Sequence, residues 1–313
     1  MALSDKHKTQ PKNGRVTVIG GVNVDIYGRA AAASSEQGMR ADSYPGATSI
    51  QAGGVARNIS ENLARLGMDV SFIGCFGSDP FTRMLRASLE EAGVDISLSA
   101  TSDAENDRYL SLFDADGQLV AGVNSMYLAE DISPAFLKEC QPAIEASEIL
   151  IIEGNLAPEA ISYLASLNGP RQLVADTVSA VKAGRFATCL NQIDILKCNQ
   201  MEAVTLTGLP EHTDPSTLCK ALLDKGVGRV LLSAGDEGFL LADTAEILQI
   251  DAKPVADIAT TSGAGDALLA GYIYAIQAGL APEQAADMAR DISALTLICE
   301  PAVNPDIKSL LNI

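Results

Sequence analysis

Short, almost continuous apolar runs alternate along the chain with longer segments in which apolar residues recur at a helical period. The apolar runs are Arg15–Gly20, Asp69–Gly74, Ile149–Glu153, Gln172–Asp176, Ile193–Lys197 and Arg229–Ser233. The first two flank a helical segment, Ala56–Leu66, which Gly67 would end as a C-cap. Strands that are apolar on both faces and separated by helices are typical of a mostly parallel sheet with helices on either side. The pattern therefore predicts a three-layer α/β sandwich.

One region departs from this alternation, because two strand-like runs follow each other without a helix. Arg108–Asp114 and Gln118–Val123 are separated by Ala115-Asp116-Gly117, which is typical of a hairpin turn. Together with the segment around Tyr44–Gln51, they predict a small β-sheet that projects from the main sheet as a lid. The lid segments would lie near residues 24–52 and 107–125. The alternative interpretation is an edge hairpin with no role in binding.

Composition narrows the class of protein. The 313 residues carry 22 basic and 40 acidic side chains, a net charge of −18, so a broad basic surface for nucleic acid is not expected. A phosphorylated ligand would need local donors. The six cysteines are scattered without zinc spacing, which favours reduced thiols in the cytosol. We find no signal-peptide pattern and no apolar run of membrane length, so we expect a cytoplasmic protein that binds no membrane.

The sequence predicts a short N-terminal tail followed by one folded domain. Residues 1–14 are polar and are expected to form a loose tail. Residues 15–313 are expected to form the folded α/β domain, with the lid as its accessory element.

The stretch Ser262-Gly-Ala-Gly-Asp266 precedes an apolar run, Ala267–Ala278, that predicts a buried helix. Gly263, Ala264 and Gly265 would lie at its start, where backbone N–H groups lack intrahelical partners and an anion can approach closely. Asp266 has two interpretations. It is either a favourable first-turn charge or a general base beside an oxyanion pocket that stabilises a transferring phosphoryl group.

A second polar cluster follows the first strand, where ligands bind in open α/β sheets. Asn23 and Asp25 would face the same way if the strand continues, and could then hold vicinal hydroxyls of a sugar; the alternative is an Asx turn. Gly53 and Gly54 open a helix and suit a close approach of the backbone to a ligand. Asn58, one turn later, could reach the same hydroxyls.

Two further loops offer weaker signals. Asn199 and Glu202, at the start of a helix, form by default a cap and its capping-box partner. The alternative is that they place a nucleotide phosphate and the water shell of a metal ion. Ser233, Gly235 and Gly238 lie in a turn between strands, and a plain connection would explain them equally well.

Taken together and in this order, these segments resemble the ribokinase-like sugar kinases, also called the phosphofructokinase-B type. The first family signature fits from Gly53-Gly54 through Asn58 to Gly67 and Gly77, and the second fits Ser262-Gly-Ala-Gly-Asp266. Asn199 and Glu202 lie between them. The resemblance covers roughly residues 15–308 and implies the ribokinase-like fold.

The resemblance implies a role for each motif. Asp266 would take the proton from a sugar 5′-hydroxyl that attacks the γ-phosphate of ATP, and Gly263, Ala264 and Gly265 would form the anion hole. The sugar would be held by Asn23, Asp25, Gly53, Gly54 and Asn58. Phosphates and Mg²⁺ would be positioned by Asn199 and, through water, by Glu202, while Ser233, Gly235 and Gly238 would border the ATP site.

Within the family, several segments resemble the kinases that phosphorylate pseudouridine. They are Gly53–Asn58, Tyr109–Gly117, Val120–Asn124, Asp176–Ala180 and Cys299–Asp306. Val55 also replaces the lysine of the ribokinase motif. We therefore expect pseudouridine 5′-phosphate and ADP as products, with Ser111, Asn124 and Lys182 near the base. Ribose or another nucleoside is the alternative substrate; a non-catalytic sensor is the alternative of another class, against which the intact Asp266 argues.

The family pattern fails at one position. Six residues before Asp266 the family usually carries Asp, Asn, Ser or Lys, and here the residue is Thr260. In ribokinase-like members this position helps a loop to bind a monovalent cation. Activation by K⁺ would thus rest on backbone carbonyls alone. The lid sheets of the family often pair between subunits, which implies a homodimer.

Overall fold

A computed structural model of the chain describes residues 14–31, 43–167, 169 and 171–311. The predicted tail, except Gly14, and part of the predicted lid segment, residues 32–42, lie outside the described residues. The strands are β1 (Val16–Ile19), β2 (Asn23–Ala30), β3 (Gly46–Gly53), β4 (Val70–Ile73), β5 (Cys75–Phe76), β6 (Ala100–Thr101), β7 (Asp107–Phe113), β8 (Leu119–Ser125), β9 (Ile149–Glu153), β10 (Gln172–Asp176), β11 (Ile195–Asn199), β12 (Arg229–Ser233), β13 (Phe239–Ala242) and β14 (Ile247–Ile250). The helices are α1 (Val55–Arg65), α2 (Thr82–Glu90), α3 (Pro134–Glu145), α4 (Pro158–Ser166), α5 (Ala180–Ala183), α6 (Gln200–Thr207), α7 (Pro215–Asp224), α8 (Ala264–Gln277), α9 (Pro282–Leu297) and α10 (Ile307–Leu311).

The main sheet contains all six strands that the apolar runs predict. Its order is β14-β13-β12-β11-β10-β9-β1-β4, parallel from β12 to β4, with β13 and β14 added as an antiparallel edge. The strand predicted at Ile193 begins at Ile195, because the N–H of Ile193 still donates to the carbonyl of Leu190 and closes a 3₁₀ turn. The carboxyl ends of the parallel strands meet at one edge, where ligands bind in open α/β sheets.

Helices cover both faces of this sheet, which explains why its strands are apolar at consecutive positions. In β9, Ile149 and Ile151 pack into a core built with α1, α8 and α9. Leu150 and Ile152 point to the other face and pack into a second core with α3, α4 and α7. The predicted three-layer arrangement is confirmed. None of the helices within the described ranges is long and apolar enough to span a bilayer.

The second sheet has the order β3-β2-β7-β8 and stands apart from the main one. It contains the predicted hairpin as β7 and β8, and β2 enters it directly from β1. Because paired residues share a face, the register places Asp25, Tyr109 and Asn124 on one face of this sheet. We call it the lid sheet, and this face its inner face.

Helix α8 begins at Ala264, three residues before the apolar run that predicts it. Gly263 precedes it in the left-handed region, with φ of 78°. Ala264, Gly265 and Asp266 therefore form its first turn. Its remaining residues are almost all buried against α9 and α1.

Candidate active site

The two halves of the predicted site meet at the carboxyl edge of the main sheet. Asn58 lies in the first turn of α1 and Asp266 in the first turn of α8. The Nδ2 of Asn58 donates a hydrogen bond to Oδ2 of Asp266 at 2.7 Å. Asp266 is only 7% exposed. Residues 208 positions apart in sequence are thus joined directly.

The surroundings of Asp266 keep its carboxyl group protonated up to a pH of about 7. Burial, and then the nearby negative charge of Asp176, raise the pKa of Asp266 to about 7. Lys197, the amide of Asn58 and Arg57 act in the opposite direction. A carboxyl group with a pKa near the working pH is suited to accept a proton as a general base.

The start of α8 forms an uncapped anion pocket beside this carboxylate. No side chain caps the helix, and the first backbone N–H groups of a helix lack intrahelical acceptors. Gly263 cannot be replaced without strain, because a Cβ there would collide with the carbonyl of Ala302. Small residues leave these N–H groups open to a ligand oxygen.

Asn23 and Asp25 lie on the inner face of the lid sheet in one continuous strand, so the Asx-turn interpretation is wrong. The Nδ2 of Asn23 donates to Oδ1 of Asp25 at 2.6 Å. Tyr27 donates its hydroxyl to Oδ2 of Asp25 at 3.1 Å, and its oxygen lies at hydrogen-bond distance, 3.3 Å, from Oγ of Ser262, which links the lid to the loop before Asp266. Burial raises the pKa of Asp25, against the hydrogen bonds from Asn23 and Tyr27.

The paired glycines bring the backbone close to this cluster. Gly53 lies opposite Asn23 in the register, and a Cβ on Gly53 would collide with the carboxylate of Asp25. Gly54 has φ of 103°, and a Cβ there would meet the carbonyl of Gly21. Both positions thus require glycine for local packing, whatever ligand binds there.

Arg57, which sequence reasoning missed, connects Gly53 with Asn58. It is 3% exposed, forms an ion pair with Glu61 and donates to the side-chain oxygen of Asn58. Its Nε also donates to the carbonyl of Gly53 at 3.3 Å. Because Asn58 accepts from Arg57, its Nδ2 is directed toward Asp266. The available signal was an arginine within the glycine motif followed by a glutamate one helical turn later.

Lys197 and Asp176, also missed, form a buried ion pair next to the anion pocket. Lys197 lies in the middle of β11 and pairs in the register with Asp176, the last residue of β10; Nζ lies 3.0 Å from Oδ2. Burial lowers the pKa of Lys197, but Asp176, Asp266 and Glu202 attract the charge more strongly, and the net shift is upward. The lysine therefore stays charged in the interior.

The sequence that builds this site matches a known protein family. Residues 13–308 match the pfkB family of carbohydrate kinases. The chain belongs to the pfkB carbohydrate kinase family. It is therefore a phosphotransferase that acts on an alcohol group of a sugar or nucleoside, as the family resemblance predicts.

Individual relatives span nearly the whole chain. A pseudouridine kinase of Escherichia coli is 30% identical over 301 residues, 95% of either chain. The structure of a putative sugar kinase from Clostridium perfringens superimposes with a TM-score of 0.79 at 27% identity and covers 96% of this chain and 95% of its own. A ribokinase from Arabidopsis thaliana, solved with ribose and ATP, has a TM-score of 0.80 at 20% identity, with 96% of this chain and 100% of that one covered.

On the expected nucleotide side of this pfkB kinase, the capping interpretation of Asn199 and Glu202 is confirmed. The N–H of Glu202 donates to Oδ1 of Asn199, and the N–H of Asn199 donates to Oε2 of Glu202, both at 2.9 Å. Thr177 and the amide of Asn199 also donate to the Glu202 carboxylate. Both Glu202 oxygens thus have protein partners. Within the described ranges, no three His, Cys, Asp or Glu side chains gather at a metal-binding distance.

The turn after β12 lies beside Asn199, because Ser233 pairs with Asn199 in the register. Ser233 donates its hydroxyl to the carbonyl of Cys198 at 3.3 Å. Gly235 and Gly238 adopt positive φ values of 63° and 95° around a 3₁₀ turn. Local backbone geometry accounts for both glycines, and their contact with ATP stays a prediction.

The residues expected near the base fall into two groups. Ser111 and Asn124 lie on the inner face of the lid sheet, since Ser111 pairs with Tyr27 and Asn124 with Tyr109. Ser111 is buried and Asn124 is exposed. Lys182 lies elsewhere, after β10, where its ammonium donates to Oδ1 of Asn155.

Glu153 is a further residue that sequence reasoning treated only as the end of a strand. It is fully buried and accepts the N–H groups of Gly21 at 2.5 Å and Asn155 at 2.7 Å. Burial raises the pKa of Glu153 to about 7, against these hydrogen bonds and the charge of Lys182. Glu153, Asn155 and Lys182 thus form a polar group at the end of β9.

A cleft of about 760 Å³ separates the inner face of the lid sheet from the loop before α8. Tyr27, Gln51 and Phe113 line it from the lid, and Thr260 and Ser262 line it from the loop. The Oγ1 of Thr260 accepts the N–H of Ser262 at 3.1 Å. The lining includes Tyr27 and Ser262, which are neighbours of Asp25 and Gly263, but it does not include Asp266.

Proposed function

We propose that this pfkB kinase transfers the γ-phosphoryl group of ATP to the 5′-hydroxyl of pseudouridine, giving pseudouridine 5′-phosphate and ADP. The observation that carries the proposal is the joining of Asp266, with its pKa near 7, to Asn58 at the uncapped start of α8. A base and an anion pocket side by side are what an in-line attack of a hydroxyl on a phosphate requires.

Different residues of the chain bind the ribose, accept the proton and stabilise the phosphoryl group. Asn23, Asp25 and Asn58 hold the ribose hydroxyls, with Asp25 already oriented by Asn23 and Tyr27. Asp266 accepts the proton of the 5′-hydroxyl as the oxygen attacks. The N–H groups at the start of α8 stabilise the negative charge that develops on the phosphoryl oxygens, which is where phosphoryl-transfer enzymes gain most of their rate.

The nucleotide and its metal ion fit the residues present. Small residues leave the helix start open for a phosphate, and the turn with Ser233, Gly235 and Gly238 lies beside Asn199. The Oε1 of Glu202 accepts one hydrogen bond, from Asn199, and a carboxylate oxygen has room for a second, which a water bound to Mg²⁺ would donate. When bound, Mg²⁺ would neutralise phosphate charge.

A comparison of turnover in K⁺ and Na⁺ tests the expectation, drawn from Thr260, that the side chain gives no cation site.

Pseudouridine as the acceptor rests on sequence similarity. The motif Gly53-Gly-Val-Ala-Arg-Asn58 and the E. coli pseudouridine kinase at 30% identity support it. We infer that Ser111 and Asn124 on the lid, and Lys182 in α5 after β10, face the base. Ribose or another nucleoside is the alternative acceptor. A non-catalytic sensor would have no use for Asp266 beside an anion pocket.

A substrate panel tests the assignment. Purified protein would be given ATP and Mg²⁺ with pseudouridine, uridine, adenosine or ribose, and ADP would be quantified by chromatography. We expect pseudouridine to give the highest kcat/KM, and Asp266→Asn serves as the inactive control. If ribose is turned over far faster than pseudouridine, the acceptor assignment is wrong and the kinase assignment stands. No acceptor-dependent ADP release with any sugar or nucleoside would favour the sensor.

We further propose a homodimer formed through the lid. Ile50, Leu110 and Val123 share the outer face of the lid sheet, opposite the cleft, and are 48%, 44% and 64% exposed. An exposed apolar sheet face of this kind favours association. Sedimentation should show a dimer that Leu110→Asp converts to a monomer, whereas an equally charged Asn124→Asp on the inner face should leave it intact. A monomeric wild-type protein would refute the proposal.

A further inference from the structure

A hydroxyl bridge joins the lid sheet to the loop that leads into α8. Tyr27 lies in β2 two residues after Asp25, so both side chains belong to the inner face of the lid sheet. The Tyr27 hydroxyl lies 3.1 Å from Oδ2 of Asp25 and 3.3 Å from Oγ of Ser262. Ser262 directly precedes Gly263, after which α8 begins. The Tyr27 hydroxyl therefore connects the carboxylate proposed to bind the sugar with the residue before the anion pocket.

The hydrogen bonds of this bridge run in one direction. A phenol and a serine hydroxyl each carry one proton, and an ionised carboxylate can only accept. While Asp25 is ionised, Tyr27 therefore donates to it, and Ser262 donates to the phenol oxygen. Burial, and then the charge of Asp25, raise the pKa of Tyr27, so the phenol keeps its proton. Hydrogen bonds in such a chain polarise one another, which strengthens the bond to the carboxylate.

Both ends of the bridge are held by neighbouring groups. The ring of Phe113 packs against that of Tyr27, with 6.2 Å between the ring centroids. At the other end, the N–H of Ser262 donates to Oγ1 of Thr260 at 3.1 Å. Beyond this contact the cleft separates the lid from the loop, and both Tyr27 and Ser262 line it. The bridge is therefore a point at which the lid and the loop hold each other in place.

Phosphoryl transfer is sensitive to the distance that this bridge spans. In the proposed reaction Asp25 holds the acceptor from the lid, whereas the amides at the start of α8 hold the phosphoryl group. The reacting atoms must be aligned, and a displacement of about 1 Å can cost about a hundredfold in rate. A contact that fixes Asp25 relative to the start of α8 therefore affects the chemical step as well as acceptor binding.

We propose that Tyr27 is a positioning residue of this kinase, whose hydroxyl, shared between Asp25 and Ser262, holds the acceptor-binding carboxylate of the lid in place relative to the start of α8. The bridge forms no covalent bond and transfers no proton to the substrate. The inference rests on the proposed function and deepens it, since it adds a residue that aligns the acceptor with the phosphoryl group.

Steady-state kinetics with pseudouridine and ATP test the alignment. Tyr27→Phe removes the hydroxyl and keeps the ring that packs against Phe113, while Ser262→Ala removes the other end and leaves the donor to Asp25. We expect kcat to fall between about tenfold and a hundredfold in Tyr27→Phe and to fall also in Ser262→Ala. The double variant should lose no more than Tyr27→Phe alone, because both changes remove the same bridge.

A matched control removes a tyrosine hydroxyl elsewhere. Tyr163 in α4 donates its hydroxyl to Oε1 of Gln141 at 2.8 Å, so Tyr163→Phe should keep the wild-type kcat. If Tyr27→Phe raises KM for the nucleoside and leaves kcat unchanged, the phenol serves acceptor binding alone, and the proposed positioning is wrong. Independent, multiplying losses in the double variant would overturn it as well.

Hydrogen exchange of the ligand-free protein tests the bridge without turnover. Tyr27→Phe and Ser262→Ala should each increase amide exchange in β2 and in residues 258–263 together, because either change lets the lid and the loop open separately. Tyr163→Phe should leave both segments unchanged. Thermal unfolding would be measured for every variant. If Tyr27→Phe lowers the melting temperature, Ser262→Ala decides the question, because it leaves the side chains around Asp25 intact.

The outcomes separate this inference from the proposed function. If the wild type phosphorylates no sugar or nucleoside, the proposed function is wrong, and the exchange experiment still decides whether the bridge holds the lid to the loop. Unchanged exchange in both Tyr27→Phe and Ser262→Ala, with kcat as in wild type, would refute the role of Tyr27 and leave the kinase assignment standing.

Discussion

The burial of Asp266 leads to a quantitative expectation for the pH dependence of catalysis. An aspartate with its ordinary pKa of 3.8 would be ionised throughout the range from pH 5 to 9. Because the pKa of Asp266 is raised to about 7, only about a tenth of it is ionised at pH 6 and about a hundredth at pH 5. A base acts only when ionised, so kcat/KM should rise about tenfold per pH unit up to pH 7 and then level off.

The hydrogen bond from Asn58 provides a way to move this midpoint. The amide favours the ionised form of Asp266 and thereby lowers its pKa. Asn58→Ala should therefore shift the midpoint of the profile to higher pH, in addition to weakening sugar binding. Asn62→Ala, on the same helix one turn later, removes an amide that donates to a backbone carbonyl instead, so its midpoint should stay at the wild-type value.

The assay is direct quantification of ADP at low acceptor concentration, since kcat/KM reports the free enzyme. Buffers of constant ionic strength from pH 5 to 9 would cover the transition, and unfolding would be monitored at each pH. A kcat/KM that stays constant between pH 8 and pH 5.5 in wild type would refute the raised pKa. A midpoint that moves equally in Asn58→Ala and Asn62→Ala would refute the role of the amide.

Three further predictions concern the same site. Asp266→Asn should lower kcat by about 10²–10⁴-fold with nucleoside affinity kept, and an unchanged kcat in steady-state assays would contradict the assignment. Burial raises the pKa of Glu153 from 4.5 to about 7, so its protonated form contributes on the order of 3 kcal/mol to the free energy of unfolding below pH 4.5, and this contribution should be lost as pH rises through 7. In denaturant titrations, the free energy of unfolding of Glu153→Gln should therefore depend less on pH than that of wild type; an equal dependence in both would contradict the raised pKa. Gly263→Ala should lower the melting temperature more than Gly279→Ala, because both have φ of 78° but only the Cβ at position 263 meets a carbonyl; equal effects would argue against close packing at Gly263.

The elements of this fold were predictable because their signals are local. Consecutive apolar residues such as Ile149–Ile152 identify a strand buried on both faces, and the structure places alternate members in the two cores. Gly263 to Asp266 mark a helix start by their small size and their charge. The strand at Ile193 begins later than its pattern suggests, since a turn bond competes with the ladder there.

The chemistry of the site depended on neighbours that the sequence does not bring together. By itself, the sequence determined that Asp266 stands at the start of a buried helix, and the family motifs indicated a kinase. Only the tertiary structure decided that Asp266 is buried near Asp176, that Arg57 orients Asn58, and that Lys197 lies beneath Gly265. A side chain's pKa and free donors are set by burial and by charges from other strands. Residues far apart in sequence acquire those properties only when the sheet assembles their strand ends at one edge.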